Sequence, residues 1–225
     1  MGEAGFTDRS NGKNGCLRVL GVDPAATGPT GYGIVESDGR RCRMLHYGAL
    51  KVTLKRQKEC AGAALQDVHA RLSGLIEEYS PDALAVESVF TALNMRTALR
   101  LAEVRGVILL AAAQHGVMVY SYAPRQVKAS VAGHGHADKR QIQLMVRALL
   151  SMNETPEPSD AADALAVALC HLQTEQARRR FGLPDQDSSA KPRALRAAVG
   201  STGLPNEIRP GSATRGGLPR ILSTR

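Results

Sequence analysis

The sequence predicts an α/β fold in which a five-stranded mixed sheet is flanked by helices and followed by a basic, disordered tail. Two observations point to the folded part. Short apolar runs broken by turn residues open the chain as an antiparallel meander, and from about residue 57 helical periodicity alternates with further strands. A third sets its end: from Arg178 onward Pro, Gly, Ser and Arg dominate with few aromatics, a composition that buries too little apolar surface to order itself.

The elements follow in order. LRVLGVD (17–23) is an apolar run stopped by Pro24, the pattern of a buried strand. GYGIVES (31–37) and RCRMLHYGALKV (41–52) read as two strands joined through Ser37-Asp38-Gly39, hence a hairpin. In residues 57–79, Leu65, Val68, Leu72, Leu75, Ile76 and Tyr79 form one helical stripe, ended by Ser80-Pro81. DALAVES (82–88) is a fourth strand, residues 91–116 a long helix with Thr91 as candidate cap and Gly116 as its close, and VMVYSYA (117–123) a fifth strand. Two helices complete the fold, over 138–150 with Asp138 as candidate cap and over 159–175. This divides the chain into an N-terminal extension (1–15), one α/β domain (16–177) and the tail (178–225).

With 225 residues, one domain with a substantial core is expected rather than two. The opening MGEAGFTDRSNGKNG has no apolar signal region and no later stretch of about 18 residues is uniformly apolar, so the cytoplasm is the expected compartment. Cys16, Cys42, Cys60 and Cys170 form no CxxC pair, which favours reduced thiols over zinc or disulfides. The net charge of +8 is concentrated: residues 178–225 hold ten Lys/Arg against three acids. A basic tail suits a polyanion, but the domain itself is nearly neutral and needs a positive face of its own.

SDAADALAVAL (159–169) sets Asp160 and Asp163 three positions apart at the front of an alanine-rich helix. At that spacing the carboxylates lie roughly 60° apart around the helix and repel. One account is that Pro158 and Ser159 open the helix and the acids answer its positive N-terminal dipole. The other is that a cation sits between them. Asp23 ends the first strand and Glu87 lies near the end of the fourth. If those strands are parallel neighbours, both side chains reach the same carboxyl edge of the sheet, where sites in open α/β sheets form. Four such acids are tolerable together only with cations or raised pKa values. Oxygen donors without His or Cys favour Mg²⁺ or Mn²⁺, and two ions about 4 Å apart activate a water and stabilise the leaving oxygen of a phosphodiester.

GVDPAATGPTGYGIV, LAVESVF, APRQVKASVAGHGHADK and DAADALAVALCH resemble, in order and spacing, the four blocks of the RuvC family of bacterial Holliday junction resolvases (crossover junction endodeoxyribonucleases). The resemblance covers about residues 17–173, with DAADALA and RQVK its most specific parts. It implies a ribonuclease-H-like fold, a homodimer, two-metal catalysis by Mg²⁺ with Mn²⁺ able to substitute, and paired symmetric nicks across a four-way DNA junction in recombination and repair. Asp23, Glu87, Asp160 and Asp163 occupy the positions of the family's catalytic, metal-holding acids, and the RuvAB branch-migration complex is the implied partner. The family usually reads DPG-Ser-Arg-x-TGYG after the first aspartate; here residues 23–31 run one longer and lack the arginine.

Within residues 125–147, between the fifth strand and the carboxylate helix, Arg125, Lys128, Lys139, Arg140 and Arg147 are opposed by one acid, Asp138, a patch suited to backbone phosphates or simply to solvent. Lys128 and Lys139 match lysines that the resemblance puts near the scissile phosphate. Phe90, three residues past Glu87, either packs in the core or stacks on a base; the family has a junction-probing phenylalanine there. Asn94 and Arg96, next along the helix, are further candidates for DNA contact. Three other functions compete. An actin-like or sugar-kinase phosphate loop would need a second domain with its own phosphate loop, for which the chain is too short. A tail-driven, non-catalytic nucleic-acid binder would not need four acids at this spacing. Another ribonuclease-H-like nuclease would act on a different nucleic-acid structure.

Overall fold

The computed structural model describes residues 15–26, 28–50, 62–88 and 94–183. The expected N-terminal extension up to residue 14, Cys60, Thr91 and the chain beyond residue 183 lie outside them. Strands β1 (Leu17–Asp23), β2 (Thr30–Ser37) and β3 (Cys42–Leu50) form the meander. Helix α1 (Ala63–Tyr79) leads to β4 (Ala83–Glu87), α2 (Met95–Gln114) to β5 (Met118–Tyr122), and then come α3 (Pro124–Ala132), α4 (Lys139–Leu149) and α5 (Ser159–Phe181). The sheet order is β3-β2-β1-β4-β5. β2 runs antiparallel to β1 and β3, whereas β4 runs parallel to β1 and to β5, so the sheet is mixed, as the alternation predicts.

Successive strand residues face opposite sides of a sheet, and the core divides accordingly. Leu20, Val22, Ile34, Leu84 and Val86 pack with Val68, Leu72 and Ile76 of α1 and Ile108 of α2. On the other side Val19, Val35, Ala83, Ala85 and Tyr122 pack with α3, α4 and above all α5. From Ala161 to Leu172 every residue of α5 except Asp163 is buried, as befits a helix that is apolar almost all round. A fully buried leucine such as Leu165 stabilises the fold by about 1.5–3 kcal/mol.

Helix α5 lies against the strands because glycines leave it room. A Cβ on Gly21 would stand 2.9 Å from that of Ala168 and one on Gly33 2.6 Å from Leu165 Cδ2, while at Gly31 it would run into the backbone of Asp160. Only a residue without a side chain allows so close an approach.

Three expectations need correction. Helix α2 starts at Met95 and is capped by Asn94, whose side chain accepts from the Thr97 N–H at 2.9 Å, so it begins later than the apolar pattern alone suggests. Residues 124–132, to which the sequence pattern assigns no element, form α3: Pro124 stands in its first turn and Gly133, at φ 82°, closes it. Helix α5 continues past residue 175 to Phe181, so Arg178, Arg179 and Arg180, counted with the tail, belong to its last turn, and Arg178 is buried and paired with Glu175 at 3.0 Å. Cationic groups are favourable at that end of a helix. Asp138 does cap α4, in a reciprocal capping box with Gln141. Among the described residues Cys16, Cys42 and Cys170 are free thiols, and no helix is long and apolar enough to cross a membrane.

Candidate active site

Parallel pairing of Val22 with Val86 brings the next residue of each strand, Asp23 and Glu87, to one carboxyl edge of the sheet. The strand period decides which way they face. Asp23 shares its side with Val19 and Gly21, and Glu87 with Ala83 and Ala85, so both belong to the face covered by α5. The glycine seam then sets the first turn of α5 beside them. Carboxylate oxygens of Asp23, Asp160 and Asp163 all lie within 4.8 Å of one another. Glu87 stands outside that trio but is hydrogen-bonded to the Asp23 side chain, and it lines the same cleft of about 210 Å³ with Asp163, Lys128 and Lys139.

The electrostatics follow from burial among like charges. Burial, then the charges of Glu87, Asp163 and Asp160, push Asp23 up to about 8. Glu87 is raised too, by burial first and the charge of Asp163 second, against the opposing pull of Lys128 and the hydrogen bond with Asp23. At neutral pH and without a metal, Asp23 therefore keeps its proton. Lys139 supplies positive charge directly, its Nζ lying 3.1 Å from Asp163 Oδ2.

A buried polar tie connects the far side of α5 to the strand next to Glu87. The Tyr122 hydroxyl and His171 Nδ1 are 2.7 Å apart. Tyr122 pairs with Glu87 across β4 and β5, and its carbonyl accepts from the Ser88 N–H at 2.8 Å. His171 is held down to about 4 by burial and then by the charge of Arg178, so it stays neutral and the tie persists at physiological pH. With the glycines, it limits sliding of α5 against the sheet.

The family model of the crossover junction endodeoxyribonuclease RuvC matches residues 19–171. The chain belongs to the RuvC family. RuvC of Halothermothrix orenii is 41% identical over 164 residues, 73% of this chain and 97% of the relative, and RuvC of Chloroflexus aggregans is 45% identical over 167 residues, 74% and 99%. Among solved structures, T. thermophilus RuvC in complex with a Holliday junction substrate superposes with a TM-score of 0.67 at 38% identity, covering 74% of this chain and 97% of that one. The ribonuclease-H-like architecture expected from the sequence is thus the fold of this RuvC-family chain.

Of the residues singled out from sequence, the fold gathers Asp23, Glu87, Asp163, Lys128 and Lys139 at one cleft, with Asp160 clustered beside Asp23 and Asp163. Arg125 and Arg140 are exposed in the first turns of α3 and α4, the two helices that carry the lysines. Asn94 uses its side chain as a helix cap, and Arg96 is exposed two residues further on. Phe90 lies outside the described residues. Sequence reasoning missed Gly21, Gly31 and Gly33, which determine how near the aspartate helix comes, and the Tyr122–His171 tie.

Proposed function

We propose that this chain resolves four-way DNA junctions, cutting as a metal-dependent endodeoxyribonuclease that makes paired, symmetric nicks in recombination and repair. The observation that carries the reading is the convergence of Asp23, Asp160 and Asp163 within 4.8 Å, beside Glu87 and two lysines, in a RuvC-family chain. The donor set fits a hard divalent cation: it is all oxygen, and burial together with the neighbouring carboxylate charges leaves a proton on Asp23. Asp23, Asp160 and Asp163 would hold the metal with Glu87 alongside, as two Mg²⁺ ions or Mn²⁺ in their place. When bound, such ions supply an activated water and neutralise the charge of the leaving oxygen.

The chain's own groups do the rest. Asp23 gives up its proton as the site fills. Lys128 and Lys139, one on α3 and one at the start of α4, meet the scissile phosphate, whose charge the carboxylates alone would repel. Arg125 and Arg140 extend that positive surface along the backbone, with Arg96, Asn94 and Phe90 as contacts nearer the junction centre. Phosphate contacts of this kind hold a duplex in register without reading its sequence.

A homodimer accounts for symmetry. Met95, Leu99, Ala102, Gly106, Leu110 and Ala113 recur along one exposed line of α2, close to the 3.5-residue spacing of a helix-pairing seam. A two-fold pair of such chains presents two active sites to a two-fold junction. RuvAB is the expected partner from the family resemblance, and the cytoplasm, where the chromosome is, the expected compartment.

Incubation with a mobile four-way junction in Mg²⁺, mapping nicks on all strands, tests the proposal. Two nicks placed symmetrically on opposing strands are expected. Preferential cutting of an RNA–DNA hybrid or a flap would favour another ribonuclease-H-like activity.

A further inference from the structure

We propose that Lys139 is a built-in counter-ion of the acidic site, competing with the divalent metal for Asp163 and released toward DNA phosphate when metal enters. The inference rests on the metal-dependent reading above and deepens it by assigning one residue to two successive partners.

The local structure explains why the lysine is free to change partner. Asp138 and Gln141 lock the backbone at the start of α4 in a capping box, so the Cα of Lys139 is fixed while its side chain, 54% exposed, is not. Lys139 is the first residue of α4, at the positive end of the helix dipole, where a cation is unfavourable. The helix itself therefore gives its ammonium no reason to stay. What retains it is the field of Asp163, 3.1 Å away, and of Asp160 clustered with it, Asp23 being protonated in the metal-free site. A divalent cation among the same three carboxylates removes that field and repels the ammonium at once. Both effects push the side chain outward, toward the open mouth of the cleft where a phosphate would approach. The lysine then raises the charge of the metal-free site toward neutrality and contributes to phosphate binding only when metal is present.

The test is Mn²⁺ binding without DNA, followed by the electron paramagnetic resonance signal of the free ion, for wild type, Lys139→Gln, Lys139→Arg and Arg140→Gln. Arg140, exposed one position further on, controls for net charge. Lys139→Gln should bind Mn²⁺ tighter by roughly 3- to 10-fold, the range of a partly exposed ion pair with some burial, while Lys139→Arg and Arg140→Gln stay near wild type. In thermal melts Lys139→Gln should be less stable than wild type without metal, and the gap should close in saturating Mn²⁺. Unchanged or weaker Mn²⁺ binding by Lys139→Gln, or an equal gain in Arg140→Gln, overturns the competition. If wild type binds Mn²⁺ and Lys139→Gln binds it equally, this inference alone falls; if none of the four binds it, the metal-dependent reading falls as well.

Discussion

Gly31 on β2 faces the backbone of Asp160 so closely that a methyl group on the glycine would collide with the Asp160 carbonyl. A backbone-to-backbone contact between strand and helix thus sets the position of one carboxylate of the site. Gly31 also pairs with Asp23 across β1 and β2, so the strand residue that carries one acid is neighbour to the glycine that seats another.

Gly31→Ala should accordingly disturb the site before it unfolds the protein. Overpacking at such a contact costs about 1–3 kcal/mol, read as a lower thermal midpoint. Because α5 must move away from Asp23 to make room, junction cleavage should fall by a larger factor than junction binding. Equal losses would mean that the substitution acts through global stability alone.

Asp23 gives the metal-free protein a distinctive pH dependence. Between its ordinary value of 3.8 and about 8, the folded chain holds a proton that the unfolded chain has released, so stability declines as pH rises through this window and levels off above it. Asp23→Asn removes the penalty. In EDTA the variant's thermal midpoint should exceed that of wild type by a margin that grows from pH 5 to pH 8. A margin that is constant with pH would show that Asp23 does not titrate in this window.

Lys128 borders the cleft and opposes the raised pKa of Glu87. As a phosphate contact, it should affect four-way junctions of any sequence alike. Lys128→Gln is expected to weaken binding and to lower the slope of log affinity against log salt by about 1. Fluorescence anisotropy across a salt series measures both; a weakened affinity with an unaltered slope would remove the phosphate role.

The α2 seam predicts how the protein comes apart. Leu99 and Leu110 are 58% and 51% exposed, so a glutamate at either position is compatible with the folded subunit but not with an apolar helix pair. Sedimentation should find wild type dimeric at micromolar concentration and Leu99→Glu or Leu110→Glu monomeric, with unchanged circular dichroism. A dimer that survives both substitutions lies on another surface.

Legibility in the sequence followed the range of the interaction. β1 to β5 and α1 announce themselves through local apolar periods, and Asp138 as the acid that opens the helix after it. Helix α3 was also written locally, in Pro124, Val127, Val131 and Gly133, but its Arg125 and Lys128 drew attention to charge rather than period. The start of α2 depended on Asn94 taking the Thr97 N–H, a choice among several polar residues that spacing does not make. The four acids were legible because chain order and family resemblance place them at strand and helix ends. Their actual convergence was not, since it depends on how closely α5 approaches Gly21, Gly31 and Gly33, more than 120 residues away in sequence. The Lys139–Asp163 pair likewise exists only once α4 and α5 have packed.

The central claim is that the carboxylates at the head of α5 serve chemistry and not the helix. Asp163→Asn tests it most directly, because the change keeps the size of the side chain and removes one charge. Binding of a four-way junction in EDTA and cleavage of it in Mg²⁺ should be measured on the same folded preparation. The account predicts binding at least as tight as wild type, since one repulsive charge facing the phosphates is gone, together with cleavage reduced about 100-fold or more, each factor of ten being about 1.4 kcal/mol of barrier. Near-normal cleavage would contradict it and leave Asp163 as a partner of the helix dipole.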